Sequence, residues 1–160
     1  MVWKNYTNFF FIFQFIIYNL LFYILVLTNY LAMNNVKTVS KLIEEALNEV
    51  KTISPNEALE LSKNDKCNLI DIRDSNELQK TGKIENSLNV SRGLLEFALN
   101  PEGDYIKNNL IDLNKEIVLF CAAGGRSALA AKTLKDMGYK KVSHVEGGFG
   151  LMKSSGFKII

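Results

Sequence analysis

The stretch Val118-Leu119-Phe120-Cys121-Ala122-Ala123-Gly124-Gly125-Arg126-Ser127 passes from an apolar run, through a cysteine and a glycine-bearing turn, into an alanine-rich segment. Glu116 to Cys121 predicts a strand, and the unbroken run Ile117 to Phe120 suits one covered on both faces. Ala128 to Met137 predicts a helix, with Gly138 placed as its C-terminal stop. A buried strand that turns tightly into a helix makes an anion site. Backbone N–H groups of the turn can converge as a nest, and the helix N-terminus adds free donors and the positive end of its dipole. Gly124 and Gly125 permit a left-handed backbone and close approach of a ligand, and Arg126 adds a permanent forked cation. A cysteine at the base of such a turn should have a depressed pKa and ionise without a histidine as base.

Outward from this loop the chain alternates helix and strand signals, the pattern of an α/β domain. Thr38 to Val50 carries Val39, Leu42, Ile43, Ala46, Leu47 and Val50 as a helical stripe, and Ser54-Pro55-Asn56-Glu57 has the spacing of a capping box with proline at the first helical position. Two helices are therefore expected before the first strong strand, Asn68 to Ile72, which ends in the polar turn Arg73-Asp74-Ser75. Lys141 to Val145 predicts a further short strand ahead of Gly147-Gly148.

The net charge of +2 is spread over interspersed Lys, Arg, Asp and Glu, so electrostatics do not point to nucleic acid. Two distant cysteines and one histidine cannot supply the usual four zinc ligands, and no metal or other cofactor is expected. A free thiol is the expected use of cysteine, which favours a reducing compartment.

The loop, a cysteine followed by four residues and then arginine, resembles the active-site loop of the rhodanese family. Asp71-Ile72-Arg73-Asp74, Glu77 and Gly82-Lys83-Ile84-Glu85-Asn86-Ser87-Leu88-Asn89-Val90 resemble that family's upstream motif. Val142-Ser143-His144-Val145-Glu146-Gly147-Gly148-Phe149 resembles its closing strand and double-glycine turn. Lys83 stands where the family usually has histidine, and Ser87 where alanine is common.

The resemblance implies a single rhodanese-like domain over residues 36–160, with a central, mostly parallel sheet and helices on both faces. It implies a sulfurtransferase whose catalytic Cys121 carries sulfur as a persulfide. The loop Ala122, Ala123, Gly124, Gly125, Arg126 and Ser127 would bind the substrate, and Asp71 and Arg73 would support it from beneath. The implied partners are a small-molecule sulfur donor such as thiosulfate and a thiol, cyanide or protein persulfide acceptor.

Two other readings stand beside it. A cysteine-dependent phosphatase uses the same thiolate, nest and arginine, but resembles a cysteine, five residues and then arginine, a larger ring around a tetrahedral phosphate. A non-catalytic module of the same fold would serve binding or regulation, and such modules typically lack the cysteine. Cys67, with no glycine or arginine beside it, is expected to be an inert small hydrophobe, and His144 a strand residue near the rim. Arg92, Glu96 and Tyr105 are candidates for the rim of the pocket, or solvated surface residues.

Residues 1–32 form a hydrophobic N-terminal segment. Phe9 to Leu27 is apolar apart from Gln14 and Asn19, about the length of a transmembrane helix. A cleaved signal peptide fits less well, since Asn29-Tyr30-Leu31-Ala32 offers no small-x-small site. Lys37 and Lys41 after the span, against Lys4 before it, favour a cytoplasmic C-terminal domain. Met33 is an alternative start. A chain from Met33 is expected to be soluble, and one from Met1 to be anchored in a membrane through residues 9–27.

Overall fold

Ile117, Val118, Leu119 and Phe120 are all buried, and alternate side chains enter two different cores. This is the physical reason for the unbroken apolar run: a strand covered on both faces has no solvent side. In the computed structural model the backbone is described for residues 3–33 and 36–160, and side chains for residues 13–32 and 36–160. The chain divides into two units between residues 38 and 39.

The first unit is α1 (Trp3–Met33). Within it Phe13–Ala32 is long and apolar enough to cross a membrane. Two polar side chains of the described residues bond back to the helix: Asn19 Nδ2 donates to Phe15 O at 2.8 Å and Thr28 Oγ1 to Leu25 O at 2.9 Å. The side chains of residues 9–12, the start of the expected span, lie outside the described residues.

The second unit opens with α2 (Val39–Leu47), β1 (Lys51–Ile53), α3 (Pro55–Lys63), β2 (Cys67–Asp71), α4 (Ser75–Thr81) and β3 (Leu88–Asn89). A 3-10 turn at Arg92–Leu94 leads into α5 (Leu95–Ala98) and α6 (Asp104–Lys107). β4 (Glu116–Phe120), α7 (Gly125–Asp136), β5 (Val142–Val145) and α8 (Gly148–Ser154) complete it. The strand order is β1-β5-β4-β2-β3, and every pairing between these strands is parallel. The α/β fold with a parallel sheet and helices on both faces is as expected. Ile70, Ile117 and Leu119 pack with Ala130, Ala131 and Leu134 of α7 on one face. Leu69, Val118 and Phe120 pack with Ala58 of α3 and Met152 of α8 on the other. Fully burying one such side chain is worth about 1.5–3 kcal/mol.

Two features were not foreseen. β1 lies where the helix of residues 38–50 was expected to end, because pairing Lys51 with Ser143 and Ile53 with Val145 requires extended chain. Only Ile53 of that strand is buried, so it carries almost no apolar signal. The C-terminus returns to the second unit: Ile84 and Ile159 form an antiparallel bridge, with Lys83 N donating to Ile160 O at 2.9 Å. Lys83, the departure from the family pattern, is thus engaged through its backbone. Elsewhere boundaries move by a few residues, and Ser54 caps α3 as its spacing predicts, accepting from Glu57 N at 3.1 Å.

Candidate active site

Cys121 follows the last residue of β4 and is 1% exposed. Gly124 N donates to its Sγ at 3.2 Å. Burial pushes the thiol pKa up. Hydrogen bonds from the Ser127 hydroxyl and from the N–H groups of Ser127, Ala123 and Gly124 outweigh it, leaving the pKa below the ordinary 9.0. The Ser127 hydroxyl has one proton, which its 2.9 Å contact with Gly124 O also claims. The backbone N–H groups have no such conflict and are the firmer part of the lowering.

The loop is held from behind by the turn into α8. Phe149 N donates to Cys121 O at 2.7 Å and Gly150 N to Ala122 O at 3.1 Å. Gly148 makes this approach feasible: its φ is +55°, and a Cβ there would stand 2.2 Å from Cys121 O. Gly124, at φ +99°, turns the chain so that its N–H meets the sulfur while its C=O accepts from Ala128 N at 3.0 Å, opening α7. Ala122 and Ala123 are exposed at the mouth.

Arg126 is committed to a partner that the sequence reading quoted only within a motif. Its Nη1 and Nη2 each donate to a Glu77 carboxylate oxygen at 2.8 Å. That bidentate pair lowers the Glu77 pKa to about 2 against the opposing effect of burial, helped by Asp74 N, which donates to Oε2 at 3.2 Å. The pair clamps the start of α7 to the first turn of α4, and two of the guanidinium donors are therefore taken. Asp74 and Glu77 stand at capping-box spacing, which was the available signal for where Glu77 would sit.

Asp71 and Arg73 form a buried pair beside the loop. Arg73 Nη2 donates to Asp71 Oδ2 at 2.7 Å, Nε contacts both carboxylate oxygens at 3.0 Å, and the guanidinium lies 3.8 Å from the Phe149 ring centroid. Nη1 donates to Thr81 Oγ1 at 2.8 Å and Nη2 to Gly82 O at 3.0 Å. Asp71 is the register partner of Phe120, and Phe149 bonds Cys121, so this network supports both sides of the cysteine.

The remaining candidates go elsewhere. Arg92 pairs with Glu96 at 2.7 Å and donates to Thr133 of α7 at 3.1 Å, while Tyr105 packs against the core. His144 is in β5 and only 2% exposed, with Nε2 2.9 Å from Thr52 Oγ1, so it is interior to the sheet. Cys67 opens β2, and burial pushes its thiol up to about 11.

Residues 54–154 match the rhodanese-like domain family over more than half of the chain. This chain belongs to that family. A rhodanese domain-containing protein of Drosophila melanogaster is 36% identical over 85 residues, 51% of this chain and 77% of the relative. A Rhodopseudomonas palustris protein of unknown function, described as a possible tyrosine phosphatase, is 39% identical with a TM-score of 0.70, covering 78% of this chain and 95% of that one. The human single-domain sulfurtransferase TSTD1 is 25% identical with a TM-score of 0.57, covering 66% and 96%. The loop around Cys121 and the Asp71–Arg73 pair both lie inside the region matched to the rhodanese-like family.

Proposed function

We propose that this rhodanese-like protein is a sulfurtransferase that carries sulfane sulfur on Cys121 as a persulfide. The observation that carries the reading is the cysteine itself, a buried thiol whose pKa is lowered by converging hydrogen bonds rather than by a base. In the proposed cycle the Cys121 thiolate attacks the outer sulfur of thiosulfate or a similar donor. A new S–S bond forms, and sulfite leaves with the electrons of the bond that breaks. The outer persulfide sulfur is anionic and takes over the N–H groups of Ala123, Gly124 and Ser127. A thiol, cyanide or protein acceptor then attacks that sulfur, and Cys121 leaves as the thiolate.

The likeness to a human sulfurtransferase supports this class of activity. The description of the Rhodopseudomonas relative raises phosphatase chemistry. Loop size argues against it: four residues separate Cys121 from Arg126, and Glu77 already occupies the arginine fork that would grip phosphate. Intact mass spectrometry after incubation with thiosulfate tests the proposal. A gain of one sulfur, absent in Cys121→Ser, is expected, and hydrolysis of an aryl phosphate without sulfur loading would overturn it. We further propose that Phe13–Ala32 anchors the protein in a membrane, with the catalytic domain in the cytoplasm. Release of the Met1 protein into the soluble fraction would refute the anchor.

A further inference from the structure

An open cleft of about 490 Å³ lies at the C-terminal ends of β1 and β5, against the outer side of the catalytic loop. Ile43 and Leu47 of α2 form one wall and Ala123 to Gly125 the other, with Thr52, His144 and Glu146 between them. Its volume is that of a small-molecule site. A second cleft of about 520 Å³, lined by Lys51, Lys135 and Tyr139, lies at the opposite ends of the strands. Ligands of open α/β sheets bind beyond the carboxyl ends, which singles out the first.

Three observations mark this cleft as a built site. Gly124 both lines it and donates to the Cys121 sulfur at 3.2 Å, so a ligand seated there is one residue from the reacting atom. Glu146 is exposed and has no ion-pair partner among the described residues, so the cleft carries an uncompensated negative charge. Ile43, Leu47 and Thr52 precede residues 54–154, so one wall is added by this chain outside the region matched to the family.

We propose that the cleft seats the body of a small aminothiol acceptor. Its ammonium pairs with the exposed Glu146, and its carbons lie on Ile43 and Leu47. The inference rests on the sulfurtransferase reading. The acceptor thiolate attacks the outer sulfur of the Cys121 persulfide, a new S–S bond forms, and the bond to Sγ breaks with its electrons staying on Cys121. The acceptor departs as a persulfide, and no outside oxidant or reductant takes part.

The test uses the full-length protein in detergent, loaded from thiosulfate and discharged with cysteamine, 3-mercaptopropionate or cyanide. Comparing kcat/KM ratios within each variant cancels general losses of activity. The cysteamine to 3-mercaptopropionate ratio should fall about fivefold in Glu146→Gln, the scale of one exposed ion pair. It should fall further in Glu146→Lys. Leu47→Trp, which narrows the cleft from an exposed position, should lower both thiols relative to cyanide. Loading with all ratios unchanged would eliminate the cleft alone, whereas failure to load sulfur would remove the sulfurtransferase reading and the cleft with it.

Discussion

Cys67 opens β2 and Cys121 follows the end of β4, so the two thiols stand at opposite ends of one pair of parallel strands. Both are buried, at 9% and 1% exposure, and burial pushes both pKa values up. Both also have a cation nearby, Lys115 at one end and Arg126 at the other, each paired with a carboxylate. What differs is the backbone. At the Cys121 end the chain leaves a strand for a helix, so N–H groups free of the helix ladder converge on sulfur. At the Cys67 end it arrives from the C-terminus of α3, and the neighbouring charges of Glu116 and Asp65 raise the pKa further, to about 11, against Lys115. Strand polarity, more than the presence of a cation, decides which thiol pKa is lowered.

The sharpest way to break this comparison is to exchange each thiol in turn. Cys121→Ser should abolish sulfur loading while Cys67→Ser keeps most of it, as read by intact mass after thiosulfate. Loading that survives at Cys67 would show that the polarity argument fails.

Next in size is the support at the Cys121 end. Arg73→Ala leaves Asp71 buried and unpaired and strips the face of Phe149, so stability should fall by about 3–5 kcal/mol in denaturant unfolding. A loss below 1 kcal/mol would mean that the loop does not depend on this network.

The thiols themselves can be compared directly by iodoacetamide labelling across a range of pH. Burial pushes the Cys67 thiol up to about 11 whereas hydrogen bonds bring that of Cys121 down, so Cys121 should carry the higher thiolate fraction. The pH midpoint of labelling, which does not depend on exposure, should be lower at Cys121, and equal midpoints would contradict the assignment.

Arg126→Lys should lower turnover about tenfold, because a point charge cannot hold both oxygens of Glu77 and the start of α7 loosens. Glu77→Gln should have a similar effect, and the double mutant should be less than additive, since both remove one clamp.

The smallest effect is on acid stability. The Glu77 pKa is depressed from 4.5 to about 2 in the folded protein, so its contribution is full above pH 4.5 and is lost as pH falls toward 2. With both partners a third or more exposed, solvent screening reduces this to about 1 kcal/mol. Glu77→Gln should flatten the stability profile in that window, and an unchanged profile would show that the pair contributes nothing.

Most of the loop around Cys121 was legible along the chain because its determinants are consecutive. Residues 117–136 specify in one run a doubly covered strand, a tight turn with glycine at 124 and a helix start, each from local propensity and pattern. β1 was not legible, since its pairing with β5 is non-local and its residues are mostly exposed. His144 was expected to be a strand residue near the rim; it is in β5, but its side chain is buried.

Short-range pattern therefore settled the α/β class and the turn whose N–H groups surround Cys121, because strand, turn and helix follow each other within a few residues. The fold alone decided that Glu77 would occupy the Arg126 fork, 49 residues away in the chain. It also decided that Arg73 would lie under Phe149 and that α2 would add a wall beside the loop. These contacts join residues whose spacing carries no period, and they exist only once the sheet has brought separate strand ends to one edge.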